Sequence, residues 1–330
     1  MSLISFKTKF SSIYVILILF NTIFLIVMLF PTFSTLSFSI DNNANYVFLH
    51  SIGSFGVNDG QLKYPHSIDV DGLGFVYVTD TGNNRVQKFD QKGDMVLKWG
   101  SLGNNSGEFA KLHDLAVDPD GKFIYTLELK NHRVQKFSTD GKYILQWIFN
   151  GTGGRDVNRT PHQLTVDNNG FVYLTDKNGH DILKYTDTGK FVQKYGTAGI
   201  LDGQFQSPHG ISFDENNRFY VTDMKNSRIQ VFDQNGTFLY KWGSPGVNDG
   251  QFSLTVPGID VYKNLVATID KNLARIQVFD QNGTFLYKWG SPGVNDGQFK
   301  KPEDIAFDAQ GNIYVADTRN SRVQVFQNIG

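Results

Sequence analysis

The 330-residue chain predicts an all-β protein, a six-bladed β-propeller, on three observations. First, an acidic residue followed five positions later by arginine, then by an apolar–Gln–x–Phe run, recurs at Asp80/Arg85, Glu128/Arg133, Asp223/Arg228, Asp270/Arg275 and Asp317/Arg322. Asp176 opens a further copy in which Asp181 stands for the arginine and Tyr185 for the phenylalanine, and the six markers lie 48, 48, 47, 47 and 47 residues apart. A fixed period of this size is the signature of a repeat architecture. Second, each period breaks into four strand-like runs, in the first copy HSIDV, FVYVTD, RVQKFD and MVLKWG, separated by the turn formers DGLG, TGNN and QKG. Four short strands with frequent turns describe an antiparallel meander, and six meanders set around an axis bury each other's faces. Third, the last copy stops at VQVFQNIG without an outermost strand, while a matching orphan, YVFLHSIGSFG, begins at Tyr46. Lending that strand to the last blade closes the ring and hides two open edges.

The elements follow in chain order. Residues 13–30 form eighteen uncharged positions interrupted only by Asn21 and Thr22, with Lys7 and Lys9 ahead and no acid before Asp41. A spanning helix needs about 17 to 25 residues and a signal-peptide apolar region about 7 to 15. Residues 1–40 therefore read as a membrane anchor or as a cleaved signal. The two lysines keep the N-terminus inside in either case, so the remainder is membrane-anchored outside the cytoplasm or secreted. Residues 41–330 form the propeller, with blades at about 64–110, 111–159, 160–206, 207–253, 254–300, and 301–326 completed by 46–56. Tyr77, Tyr125, Tyr173, Tyr220 and Tyr314 share one place in the second strand, where Ala267 marks the fifth copy as degenerate. Residues 228–252 and 275–299 are identical, which makes them scaffold rather than a unique catalytic centre. Glycan acceptor triplets stand at Asn104, Asn150, Asn158, Asn235 and Asn282. Asn235 and Asn282 each belong to an Asn-Gly hairpin turn in any case.

Composition removes whole classes. With no cysteine there is no disulfide framework, thiolate metal site or cysteine nucleophile. The 31 basic residues nearly cancel the 32 acidic ones, so a general electrostatic grip on nucleic acid is not expected. No Gly-x-Ser-x-Gly, P-loop or His-Glu-x-x-His is present, and their chemistries are not expected either.

The pattern PHSIDVD…FVYVTDTGNNRVQKFD…WGS, repeated six times, resembles the NHL-repeat propellers. The resemblance implies the six-bladed fold and leaves function open, because such propellers bind proteins or RNA and a few relatives are lyases or lactonases. Antiparallel topology puts the start of the first strand and the acidic–Arg loop of every blade at one mouth of the ring. The first-strand position there reads His66, His113, His162, His209, Pro257 and Glu303. Imidazole is the commonest neutral metal ligand, and alternate blades would offer His113, His209 and Glu303, a His₂-carboxylate composition known from catalytic zinc. The resemblance to peptidyl-amidoglycolate lyases, which it implies hold zinc through histidine, points the same way. Against a metal, His66 shares strand parity with Ile68 and Val70, which turns the imidazole toward the packed face between blades. Calcium is the other candidate ion, at the turns Asp71-Gly72, Asp118-Pro119 and Asp167-Asn168, where hairpin chemistry is a simpler account. The acidic–Arg pairs are expected to pin their loops as exposed ion pairs of about 0–1 kcal/mol. In blade three, Lys177 and His180 beside Asp181 mark a loop that encodes ligand preference. The expected function is an extracytoplasmic binding module that takes a protein, peptide or glycan, but not nucleic acid, at the channel mouth. The alternatives are a metal-dependent lyase or hydrolase and a structural envelope component.

Overall fold

The computed structural model describes residues 45–149 and 159–329; the apolar run 13–30 with its expected helix, Asn150 and Asn158 lie outside them. Among the described residues no helix is long and apolar enough to cross a membrane. Among the described residues twenty-four strands form six four-stranded antiparallel sheets. Blade one holds β2 (Ile68–Val70), β3 (Val76–Asp80), β4 (Arg85–Phe89) and β5 (Met95–Trp99), ordered outward from the axis. Blades two to five repeat this with first strands β6 (Leu112–Val117), β10 (Pro161–Val166), β14 (Pro208–Phe213) and β18 (Ile259–Tyr262). Blade six has β22 (Ile305–Phe307), β23 (Ile313–Asp317) and β24 (Arg322–Asn328), and its fourth strand is β1 (Tyr46–Ile52). Pairing runs from Tyr46↔Asn328 to Ile52↔Val323, so the closure expected from the orphan strand is present.

The core is shared between neighbouring blades. Tyr77 and Val86 of blade one pack with Leu115, Ile124 and Phe137 of blade two. The second-strand tyrosines are buried as the wedge between sheets requires, and Ala267 is buried in their place in blade five. Outer-strand aromatics lie over hairpin glycines of the next blade: a Cβ on Gly189, which has φ +84°, would sit 2.4 Å from the Trp147 ring. Glycine satisfies both the left-handed turn and the close ring contact.

The inner strand of each blade has no further strand beyond it, and in blades one, two, three, four and six a side chain of the preceding blade accepts one of its N–H groups. Asp304 Oδ2 accepts the Ile68 N–H at 3.1 Å, Asp69 Oδ2 accepts Val117 at 2.8 Å and Asp260 Oδ2 accepts Phe307 at 2.7 Å. Asp114 accepts the Leu164 N–H, and Gln163 Oε1 accepts Ile211 at 2.6 Å. Buried backbone donors need such partners, so these polar residues stitch the ring.

Candidate functional site

The bulges of the first strands build the mouth. The pairing of first with second strand shifts register between Leu112 and Asp114, between Pro161 and Leu164, and between Pro208 and Ile211. An extra residue re-aims the side chains beside it, and in each of these blades the interval holds the histidine. Strand parity therefore fails at His113, His162 and His209, while His66 precedes the first paired residue of its strand, Ile68; instead of lying between blades, the four rings meet one another. Ring centroids are 3.9 Å apart for His66 and His113, 4.4 Å for His113 and His162, and 3.2 Å for His162 and His209. The Nε2 atoms of His113 and His162 are 3.3 Å apart, and ligand atoms of His66, His113 and His162 all lie within 4.8 Å of one another.

Burial holds these rings neutral. It lowers His66, and it takes His113 and His162 well below the ordinary imidazole value, helped by the neighbouring rings. His209 is pushed down to about 3 although its Nδ1 bonds the Pro257 carbonyl at 2.9 Å. The Nδ1 of His66 is buried without a hydrogen-bond partner. Neutral nitrogens in a tight cluster are what a transition-metal ion requires. Two nitrogens about 2.05 Å from a tetrahedral zinc are about 3.3 Å apart, the separation His113 and His162 already have.

Glu303 stands at the same mouth but is ion-paired with Lys271. Lys177 lies near enough for its charge to depress His162 and His209. His180 is engaged by its Nδ1, which accepts the Ser207 N–H at 3.0 Å. Of the expected site residues, then, the structure joins His66, His113, His162 and His209. It sets Glu303 beside them through Lys271 and gives His180 to a loop contact.

The floor is polar. Gln163 Nε2 donates across the axis to Asp304 Oδ1 at 3.0 Å, and a cavity of about 40 Å³ lies among Asp69, Gln163, Ser212, Asp260 and Asp304, room for about one water. Burial raises all four carboxyls of the channel, Asp69 to about 8 and Asp114 to about 7, with Asp260 raised and Asp304 well up. These residues escaped the sequence reading, although the acids in HSIDV, HDLAV and EDIAF were its signal.

The expectation of exposed acidic–Arg pairs is corrected by the structure, which encloses them. Asp80 is fully buried and Arg85 is 8% exposed, with Nε to Oδ2 at 2.7 Å. Arg85 also donates to the carbonyls of Asn58 and Gln61, Gln87 donates to Gln61, and Asp80 accepts the Lys63 N–H. The pair thus staples the loop that leads into its blade, and that loop covers it. The same device recurs around the ring. Arg133 is buried against Glu128 and donates to the carbonyls of Asn104, Asn105 and Glu108. Arg228, also buried, reaches Asp223 Oδ2 at 2.8 Å and donates to the carbonyls of Ile200, Leu201 and Gln204. Arg275 is buried with Nη2 at 3.2 Å from Asp270 Oδ2, and it donates to the carbonyls of Val247, Asn248 and Gln251. Arg322, only partly buried, holds Asp317 at 3.0 Å and the carbonyls of Asn295 and Gln298. The small worth of a surface ion pair does not apply to carboxylates closed off in this way, since loss of the cation would leave a buried charge.

In blade three Arg159 replaces the missing arginine, its Nη1 reaching Asp176 at 2.7 Å and Asp181 at 2.9 Å. The departure there is a structural substitution. At the candidate calcium turns the carboxylates face inward on their own loops, as where Asp71 Oδ1 accepts Leu73 and Phe75 N–H and Asp167 Oδ1 accepts Asn169 and Phe171.

The family model for the NHL repeat matches residues 62–89, 205–232 and 299–326, which lie in blades one, four and six. The chain carries NHL repeats on a six-bladed β-propeller. The unmatched blades are those with Glu128 for the aspartate, with Asp181 for the arginine, and with Pro257 and Ala267. Among curated proteins, it is 32% identical over 65 residues to protein brain tumor of Drosophila melanogaster, covering 20% of this chain and 6% of that one. It is 31% identical over 80 residues to NHL repeat-containing protein 3 of Mus musculus, 24% of this chain and 22% of that protein. The match therefore spans less than a quarter of either relative. Solved structures share the fold at low identity. Virginiamycin B lyase from Staphylococcus aureus has a TM-score of 0.58 at 15% identity, covering 86% of this chain and 99% of that one. A gluconolactonase from Xanthomonas campestris has 0.60 at 14%, covering 85% and 98%.

The neutral state of His209 has a measurable consequence. Unfolded imidazole takes its proton near 6.5, whereas the folded ring waits until about 3, so protons favour the unfolded chain in that window. Stability present at pH 7 is lost as pH falls, by up to about 1.4 kcal/mol per pH unit for this group. Asp69 and Asp114 act oppositely, since their raised folded values remove stability as pH rises from about 4 toward 8. Comparison with His209→Gln isolates the imidazole. The wild-type minus variant stability, from urea midpoints, is expected to fall between pH 7 and 5. A pH-independent difference would contradict the neutral ring.

Proposed function

We propose that the propeller is a binding module whose recognition site is the histidine mouth, and that a zinc-class ion held by His66, His113 and His162 anchors its ligand. The observation that carries this reading is the convergence of neutral imidazole nitrogens from three adjacent blades, that of His113 buried and those of His66 and His162 on partly buried rings. Three protein ligands leave a position open for a donor atom of the ligand. Rigid blades hold the surrounding loops in place, a common division between scaffold and recognition surface. The reading puts the propeller outside the cytoplasm, membrane-anchored or secreted, on the strength of the uncharged run 13–30 behind Lys7 and Lys9. A protein, peptide or glycan is the expected partner class.

A second reading, a metal-dependent lyase or hydrolase, draws on the same open position and on Glu303 beside the cluster as a candidate base. Metal content of the full chain, purified without chelator or histidine tag and measured by elemental mass spectrometry, tests both. About one ion per chain is expected, lost in His66→Ala, His113→Ala and His162→Ala and retained in Glu303→Ala. Loss in Glu303→Ala and His209→Ala with retention in His66→Ala would assign the alternate-blade set His113, His209 and Glu303 instead. A folded, metal-free wild type would end the metal reading. With metal present, turnover abolished by Glu303→Gln favours the enzyme, and partner capture without turnover favours the module.

A further inference from the structure

The ring of histidines is broken at blades five and six, where Pro257 and Glu303 stand. A cleft of about 720 Å³ lies between blades five and six, with Thr255, Lys271, Asn272, Val294, Lys300 and Lys301 in its wall. This is the size of a small-molecule site. Among the described residues its lining holds three ammonium groups and no carboxylate, in a chain whose net charge is only −1. Lys300 and Lys301 are exposed, and neither has a carboxylate partner among the described residues. Lys271 joins the cleft to the histidines: it lines the cleft, pairs with Glu303, and its charge reaches His66, His113 and His209.

We propose that this cleft binds the carboxylate end of a ligand with an apolar body, whose remainder extends to the histidine mouth. The chemistry follows from the lining. Lys300 and Lys301, exposed and without a carboxylate partner among the described residues, attract an anion into the cleft, and Lys271 already accommodates one carboxylate, that of Glu303. Pro292 and Val294, both exposed, give the wall an apolar side against which a short hydrocarbon packs. The proposal rests on the reading of the mouth as the recognition site, but not on the metal.

The test uses the full chain and three probes of one length, hexanoate, hexanamide and hexyl phosphate, with binding followed by ligand-observed NMR. Hexanoate is expected to bind roughly tenfold more tightly than hexanamide, and K300E/K301E to weaken hexanoate by a similar roughly tenfold factor with metal content unchanged. Equal binding of the neutral amide, or a charge-reversed variant that binds hexanoate as well as wild type, overturns the cleft. Tighter binding of hexyl phosphate overturns the carboxylate assignment. Hexanoate binding that persists in His113→Ala supports the cleft whether or not an ion is held. Binding lost in His113→Ala and unaffected by K300E/K301E places the carboxylate on the ion and overturns the proposal. Both lysines are surface side chains, and coincident circular dichroism spectra show that the variant is folded.

Discussion

Arg159→Ala is expected to destabilise the propeller by about 3–5 kcal/mol, because it strips the guanidinium from two buried carboxylates at once. Asp176 is fully buried and Asp181 is 1% exposed, and both bond the same Nη1. Lys194, at 3.3 Å from Asp181, relieves one of them in part and leaves Asp176 without its cation. For a domain of this size the loss corresponds to roughly 10 °C in Tm. The repeat itself supplies the control. Asp181 occupies the position that arginine holds in the other five blades, so Asp181→Arg in the Arg159→Ala background restores the ordinary pair with Asp176. The double variant should recover most of the lost stability, measured by thermal and urea unfolding. A double variant no better than Arg159→Ala alone would mean that Arg159 does not stand in for the repeat arginine.

Removal of β1 should have an effect of comparable size. Its Tyr46 and Ile52 are almost wholly buried, and burial of two such side chains contributes about 4 kcal/mol or more. Its backbone also satisfies the outer edge of β24, which would otherwise stand open to other chains. A chain beginning at residue 54 is therefore expected to melt roughly 10 °C or more below one beginning at residue 45 and to aggregate at lower concentration. The comparison between the two truncations isolates the strand, since both lack the N-terminal 44 residues. Equal melting temperatures would show that blade six does not depend on it.

The fold was legible because its evidence is periodic. Markers 47 or 48 residues apart and an orphan strand at Tyr46 specify blade number and closure without reference to packing. The site was legible only in its residue types. All four histidines stand at one repeat position, but the ring partners of His162 are decided by bulges, and a bulge shifts parity without leaving a mark in the alternation of apolar residues. Thus the alternate-blade grouping of His113, His209 and Glu303 was reachable from sequence, whereas the adjacent trio His66, His113 and His162 was not. The channel carboxylates were hidden for a related reason. Asp114 and Asp304 follow the ring position directly, while Asp69 and Asp260 lie three residues beyond it, so no single column of the repeat displays all four. The pairing of Arg228 and Arg275 with their aspartates was readable from spacing, but their burial was not, because the loop that covers each one lies 24 to 28 residues earlier in the chain. Arg159 escaped because it lies 22 positions ahead of Asp181, on the loop before the blade it completes.

The pairing of Tyr46 with Asn328 also sets a timetable for biosynthesis. The first strand of the propeller leaves the ribosome about 280 residues before its partner, an interval of roughly 15 to 55 seconds at ordinary elongation rates. During that time five blades can form in succession, each complete in itself, while the first strand waits with its backbone unpaired and its apolar side chains exposed. Ring closure is then the last event of folding and the one open to substitution by a stranger. Two nascent chains held close together can exchange first strands, each completing the other's final blade. Crowding on the polysome should therefore raise the yield of swapped dimers, whereas synthesis on isolated ribosomes should favour monomers.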